Sequence, residues 1–160
     1  PGGQPGLMGG RRMVPRDLCE VVEPEAVRAV MGTATVTPLR VAWQAPCTLQ
    51  HGQRVATAGK VEALLRASGC ELVPTREATL CCGSAGTYSV LQPGMSTELR
   101  ERKLAALTGA QPDVIATANV GCLEHLRAAS PVPVRHWIEI VDERLAQAAA
   151  AAPQRSATTM

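Results

Sequence analysis

Four short apolar runs rich in β-formers recur along the chain, and a helix-like pattern follows each of them. That alternation does most to limit what the chain can become. The runs are residues 40–44, 70–74, 113–117 and 132–136. Between and after them come apolar stripes at helical spacing. Ala58, Val61, Leu64, Leu65 and Ser68 make one over 55–68, which Gly69 ends; Leu99, Leu104 and Leu107 make a less clean one. Ile138, Val141, Leu145 and Ala148 make the last. Strands alternating with helices imply a parallel sheet with right-handed crossovers. The expected fold is therefore α/β: a parallel sheet of about four strands with flanking helices. Composition agrees. Phe is absent, Tyr88 is the one tyrosine, and Trp43 and Trp137 are the two tryptophans. A core of Val, Leu, Ile and Ala suits a helix-covered parallel sheet better than a β-sandwich.

The 160 residues suffice for one domain with a real core. Residues 1–13 are Gly/Pro-rich and are expected to be a flexible linker. Residues 16–31 read as a leading helix that Pro24 breaks or restarts, with Leu18, Val21 and Val22 on one face. An extended connection over 32–39 follows. Pro93 is expected to close the loop after residue 80, and Ser96 or Thr97 to cap the next helix. Residues 149–160, Ala-rich and then polar, are expected to be a disordered tail. The chain opens on Pro1, not Met, which suggests a piece of a longer protein.

A formal net charge of +2 spread along the chain is no nucleic-acid signature, and stacking aromatics are lacking. No run of 18 apolar residues and no signal peptide is evident. The reading is thus a cytoplasmic protein whose membrane association, at the inner membrane, would be peripheral through partners. Six cysteines without an export signal argue for a reducing compartment, where thiols bind metals more often than they cross-link.

Those cysteines carry the chemistry. Cys81 and Cys82 are adjacent and run into Gly83-Ser84-Ala85-Gly86. Packing explains such a pair poorly, and bridge geometry disfavours a disulfide between them. Cys47 stands at the carboxyl end of the first run, and Cys122 follows the third, three residues before His125 on the same helix face. Asn119 is placed to cap that helix, whose N-terminus favours a thiolate. Ligands bind at the carboxyl ends of strands in open parallel sheets. Some 33 residues separate Cys47 from Cys81 and 39 separate Cys82 from Cys122, so each gap holds one helix-containing unit. The loops at the strand ends can then gather four soft thiolates, with or without His125, for an iron–sulfur cluster or zinc. Cys19 and Cys70 read as core thiols. His51 reads as a loop residue or a neighbour of the ligands, and His136 as a backbone partner or interface residue. Ser84 and Thr87 are placed to donate to sulfur or to cap turns.

The order of a lone Cys, Cys-Cys-Gly, then Gly-Cys-x-x-(Cys or His) resembles the cysteine-rich CCG domain. That domain occurs in heterodisulfide reductase, anaerobic glycerol-3-phosphate dehydrogenase and lactate-utilisation proteins. The longer runs, residues 46–51, 80–88, 117–122 and 133–139, resemble the iron–sulfur subunits of bacterial glycolate oxidase. The resemblance covers the unit 14–148. It implies Cys47, Cys81, Cys82 and Cys122 as ligands of a 4Fe-4S-type cluster; His125 departs from it, standing where many relatives have Cys, and reads as a further metal ligand or as a nearby hydrogen-bond partner. It also implies flavin-containing partner subunits that oxidise glycolate to glyoxylate, with electrons passing on to quinone. This chain would be a non-flavin subunit of that oxidoreductase, not catalytic by itself. It lacks the ferredoxin-like Cys-x-x-Cys-x-x-Cys-x-x-x-Cys-Pro runs of full-length members. A structural zinc docking module is the alternative reading, and a thiol-redox enzyme using Cys81 and Cys82 the third.

Overall fold

The computed structural model describes residues 16–52 and 59–151. The linker over 1–13, the first part of the 55–68 helix with Ala58, and residues 152–160 of the tail lie outside the described residues.

Four parallel strands form the sheet: β1 (Leu39–Gln44), β2 (Cys70–Leu72), β3 (Val114–Thr117) and β4 (Val134–His136), in the order β2-β1-β3-β4. β1 and β3 are the interior pair, in register from Val41↔Val114 to Gln44↔Thr117. Buried on both faces, they read as continuous apolar runs, which makes them legible as strands. Strand order reverses direction between β1 and β3. Such a switch point opens a crevice at the carboxyl edge of a parallel sheet.

Among the described residues six α-helices surround the sheet: α1 (Pro24–Met31), α2 (Lys60–Ala67), α3 (Tyr88–Leu91), α4 (Pro93–Thr108), α5 (Val120–Arg127) and α6 (Trp137–Ala151). Side chains alternate faces along a strand. Val41, Val114 and Ala116 accordingly pack with Leu64, Trp137 and Ile140 from α2 and α6, together with α1. Ala42 and Ile115 pack on the other face with Leu104, Leu107, Leu123 and Leu126 from α4 and α5. Helices thus cover both faces of the sheet.

Three local expectations need correction. Residues 16–31 are not one helix. Asp17 and Glu20 close a capping box around a 3-10 turn, Leu18–Glu20, and Pro24 then starts α1 at a position where its missing N–H costs nothing. Leu18 and Val21 are exposed and form no buried face. Pro93 opens α4 instead of closing a loop, and neither Ser96 nor Thr97 caps it; Gln92 stands at the N-cap with no side-chain bond. The last helix continues through Ala151, past the expected start of the tail.

Two buried polar groups tie the layers together. Arg144 on α6 donates from Nη2 to the carbonyls of Thr37 (2.6 Å) and Gly69 (3.3 Å). Thr117 Oγ1 donates to Gln44 Oε1 across the β1–β3 pair at 2.5 Å. That bond joins the carboxyl ends of the two strands.

Candidate metal centre

Three segments at the carboxyl edge bring the cysteines together. Cys47 leaves β1 just after the buried Pro46 and enters a π-helical turn, Thr48–Gly52, anchored by buried Leu49. Cys81 and Cys82 sit in the connection from β2 to α3. Cys122 lies in the first turn of α5, where Asn119 Oδ1 accepts its backbone N–H at 3.1 Å, as the sequence leads one to expect.

All four thiols line one cavity of about 460 Å³, together with Pro46, Thr48, Ser84, Gly86, Asn119 and Gly121. Cys82 and Cys122 are buried, Cys81 is half-buried and Cys47 is exposed. Cys19 and Cys70 are buried elsewhere, in the core. Burial, with a hydrogen bond to Asp17, pushes the Cys19 thiol up to about 12. Burial raises Cys70 as well. Both behave as structural thiols.

The cavity thiols differ from one another. Cys82 and Cys122 share a hydrogen bond, with the two Sγ atoms 3.0 Å apart. That bond pulls the Cys82 thiol down to about 6 against the effect of its burial, with help from the Ser84 backbone N–H. The same bond, and burial, push Cys122 up. Burial and the neighbouring Cys81 raise Cys47. Cys81 Sγ accepts the Gly83 N–H at 3.4 Å.

Gly83 turns at φ +89°, and a Cβ there would come within 2.4 Å of the Ser96 carbonyl oxygen. Only glycine fits so close an approach at positive φ. Ser96 Oγ donates to the Gly83 carbonyl (2.9 Å) and lies 3.2 Å from His125 Nε2. Ser96 and His125 therefore hold the Cys-Cys-Gly turn from behind, and His125 does not line the cavity. His51 is exposed. His136 accepts the Ile138 N–H at Nδ1 (3.4 Å) and tilts against Trp137. Ser84 borders the cavity, whereas Thr87 and Tyr88 are exposed beyond it.

Sequence reasoning missed Lys103. It is fully buried, and its Nζ donates to the carbonyls of Glu77 and Ala78 at 3.1 Å each. A signal existed: a lysine standing four residues from both Leu99 and Leu107 interrupts an apolar stripe.

Among the described residues no three Cys, His, Asp or Glu side chains stand in metal-coordinating geometry. The donor set nevertheless fits a thiolate-bound metal group. Four soft sulfurs converge without a competing carboxylate. A structural zinc site closes tightly around one ion. The cavity beside the thiols leaves room for a group larger than one ion.

Comparison with known proteins agrees. The family model of the CCG cysteine-rich domain matches residues 41–127, a span that includes all four cavity cysteines. The chain is 41% identical over 131 residues to the glycolate oxidase iron–sulfur subunit of Escherichia coli (strain K12), covering 81% of this chain and 30% of that protein. It is 32% identical over 97 residues to the probable glycolate oxidase iron–sulfur subunit of Bacillus subtilis (strain 168), covering 61% and 22%. It is 33% identical over 81 residues to lactate utilization protein A of Geobacillus kaustophilus (strain HTA426), covering 48% and 34%. The chain thus spans about a third or less of the length of these relatives.

Proposed function

The chain belongs to the cysteine-rich CCG domain family, and from that premise we propose that it is the electron-transfer portion of an iron–sulfur subunit in a glycolate-oxidising complex. The observation that carries the reading is the convergence of four cysteines from three segments on one cavity at the switch point of a parallel sheet. The relatives named as iron–sulfur subunits support it.

Cys47, Cys81, Cys82 and Cys122 hold the cluster, of 4Fe-4S type. When bound, such a cluster supplies a one-electron carrier whose potential depends on hydrogen bonds to sulfur and on burial. The protein's own contribution is orientation and charge. The backbone N–H groups of Gly83 and Ser84 point to the sulfurs of Cys81 and Cys82. At Cys122 the N-terminus of α5 works against the burial that pushes that thiol up. His125, through Ser96, fixes the turn that carries two of the four ligands. Exposed Cys47 leaves one side of the centre near the surface, where a partner's redox group can approach. Oxidation of glycolate itself belongs to flavin-containing partner subunits, and quinone is the eventual acceptor. The setting is cytoplasmic. Among the described residues no helix is long and apolar enough to cross a membrane; membrane contact is proposed to run through partners.

The test is iron and acid-labile sulfide analysis with electron paramagnetic resonance on anaerobically prepared protein. Iron with matching sulfide, and a paramagnetic signal that the Cys82→Ser variant loses, is the expected result. Redox-silent zinc, with a fold that collapses on chelation, would overturn it in favour of a structural zinc module, which a four-cysteine set can also form.

A further inference from the structure

Helix α3 is Tyr88-Ser89-Val90-Leu91, and none of its residues is buried. A helix that short has no stability of its own. Its backbone closes through the Leu91 N–H to the Thr87 carbonyl and the Gln92 N–H to the Tyr88 carbonyl. Its apolar side chains stay outside. Val90 is 78% exposed and Leu91 72%; Met95, in the first turn of α4, is 51% exposed. Val120, in the first turn of α5, is 71% exposed. The start of α5 abuts the turn that leads into α3: a Cβ on Gly121 would lie 3.0 Å from Ser84 Oγ. Ser84, Gly86 and Gly121 all line the cysteine cavity. Exposed apolar side chains thus stand on the segments that form its wall, and contiguous surface of that kind marks an interaction site.

Charge decides what such a surface can accept. No Asp, Glu, Lys, Arg or His occurs in residues 41–50, 78–97 or 114–123. Every residue lining the cavity falls within these three stretches. Anionic lipid and nucleic acid are held by Lys and Arg, which the stretches lack. The centre of a protein–protein contact is by contrast poor in charge, with Tyr and Met over-represented. Tyr88 and Met95 stand exposed here beside Val90 and Leu91.

We propose that Tyr88, Val90, Leu91 and Met95, with Val120 of α5, form the docking surface for another protein subunit. That subunit's own contact face is apolar and uncharged, and it brings a redox group to the side of the centre where Cys47 is exposed. The inference rests on the electron-transfer reading and names the surface through which electrons enter. That relatives are named as subunits supports a protein in this place.

The test measures, by surface plasmon resonance, binding of the purified flavin-bearing subunits to the anaerobically reconstituted chain. It compares the parent with Val90→Lys, Leu91→Lys and Val120→Lys. Val30→Lys is the control: Val30 is 64% exposed, on α1, in the layer across the sheet from α4. All four side chains are mostly exposed, so the fold tolerates the change. The three test variants are expected to bind about tenfold more weakly or worse, because a lysine at the centre of an apolar contact loses its water. The control is expected to stay within about twofold of the parent. Parent binding is expected to change less than about threefold between about 50 and 500 mM NaCl, since it uses no ion pairs. Parent-like binding by all three variants, a parent that does not bind these subunits, or a tenfold loss with salt would overturn the proposal. Dimerisation of the parent that Leu91→Lys abolishes would overturn it in favour of a second copy. Flotation of the parent with phosphatidylcholine–phosphatidylglycerol vesicles, abolished by Leu91→Lys, would overturn it in favour of a lipid surface. Binding by a chain that takes up no iron or sulfide, lost in Leu91→Lys, would sink the electron-transfer reading and leave the docking surface standing.

Discussion

At Gly83 two demands meet on one Cα: a φ of +89° and an approach that leaves 2.4 Å between a Cβ and the Ser96 carbonyl oxygen. The neighbouring atom is backbone at the first turn of α4, so it cannot rotate away. Gly83→Ala should therefore cost about 3 kcal/mol, combining left-handed strain with overpacking. Urea denaturation of the metal-free protein measures it. A parent-like midpoint would mean that the turn does not press on α4. The same turn explains why sequence reading finds the cysteines but not what supports them. Adjacent thiols before a glycine are conspicuous in one dimension. Ser96 and His125, 13 and 42 residues from Gly83, become its partners only through packing.

At the scale of elements, α5 shows how local chemistry aims a ligand. Asn119 accepts the Cys122 N–H and so starts the helix at a defined residue. Asn119→Ala should cost about 1 kcal/mol of stability, and Asn119→Asp, which caps as well, should recover most of it. Chemical denaturation of the three proteins decides this; equal stabilities would show that the cap carries no weight. This cap is legible because capping is written within four residues. The strands are legible because burial on both faces makes β1 and β3 continuous apolar runs. Helix α3 is not, since four residues are too few to show a period. The Gln44–Thr117 bond, the reach of Arg144 and the burial of Lys103 are not legible either. Each depends on which distant segment packs alongside, and polarity alone says nothing of that.

For the molecule as a whole, the buried thiols set a limit in alkali. The Cys19 thiol is pushed up to about 12 in the folded protein, whereas an unfolded chain releases that proton at about 8.5. The folded state thus holds a proton that the unfolded state has given up. The stabilisation is complete below about pH 8.5 and is lost as pH rises toward 12, at up to about 1.4 kcal/mol per pH unit. Thermal melts across pH 8 to 11 should show the parent falling more steeply than Cys19→Ala, even though the variant starts lower from the space it opens in the core. Parallel slopes would refute this assignment of the alkaline limb.

The bond between Gln44 and Thr117 joins residues 73 apart in the chain, at the carboxyl ends of the strands from which the segments carrying Cys47 and Cys122 depart. Until β1 and β3 find each other across that distance, Cys47 and Cys122 belong to unrelated stretches of polypeptide. Long-range strand pairing is among the slower events in folding. Bringing Cys47 beside Cys122 thus requires the same pairing that forms the centre of the sheet. To whatever delivers iron and sulfide, a nascent chain offers scattered thiols, and a folded one offers all four together. A group that needs all four thiols at once must therefore wait for the pairing of β1 with β3.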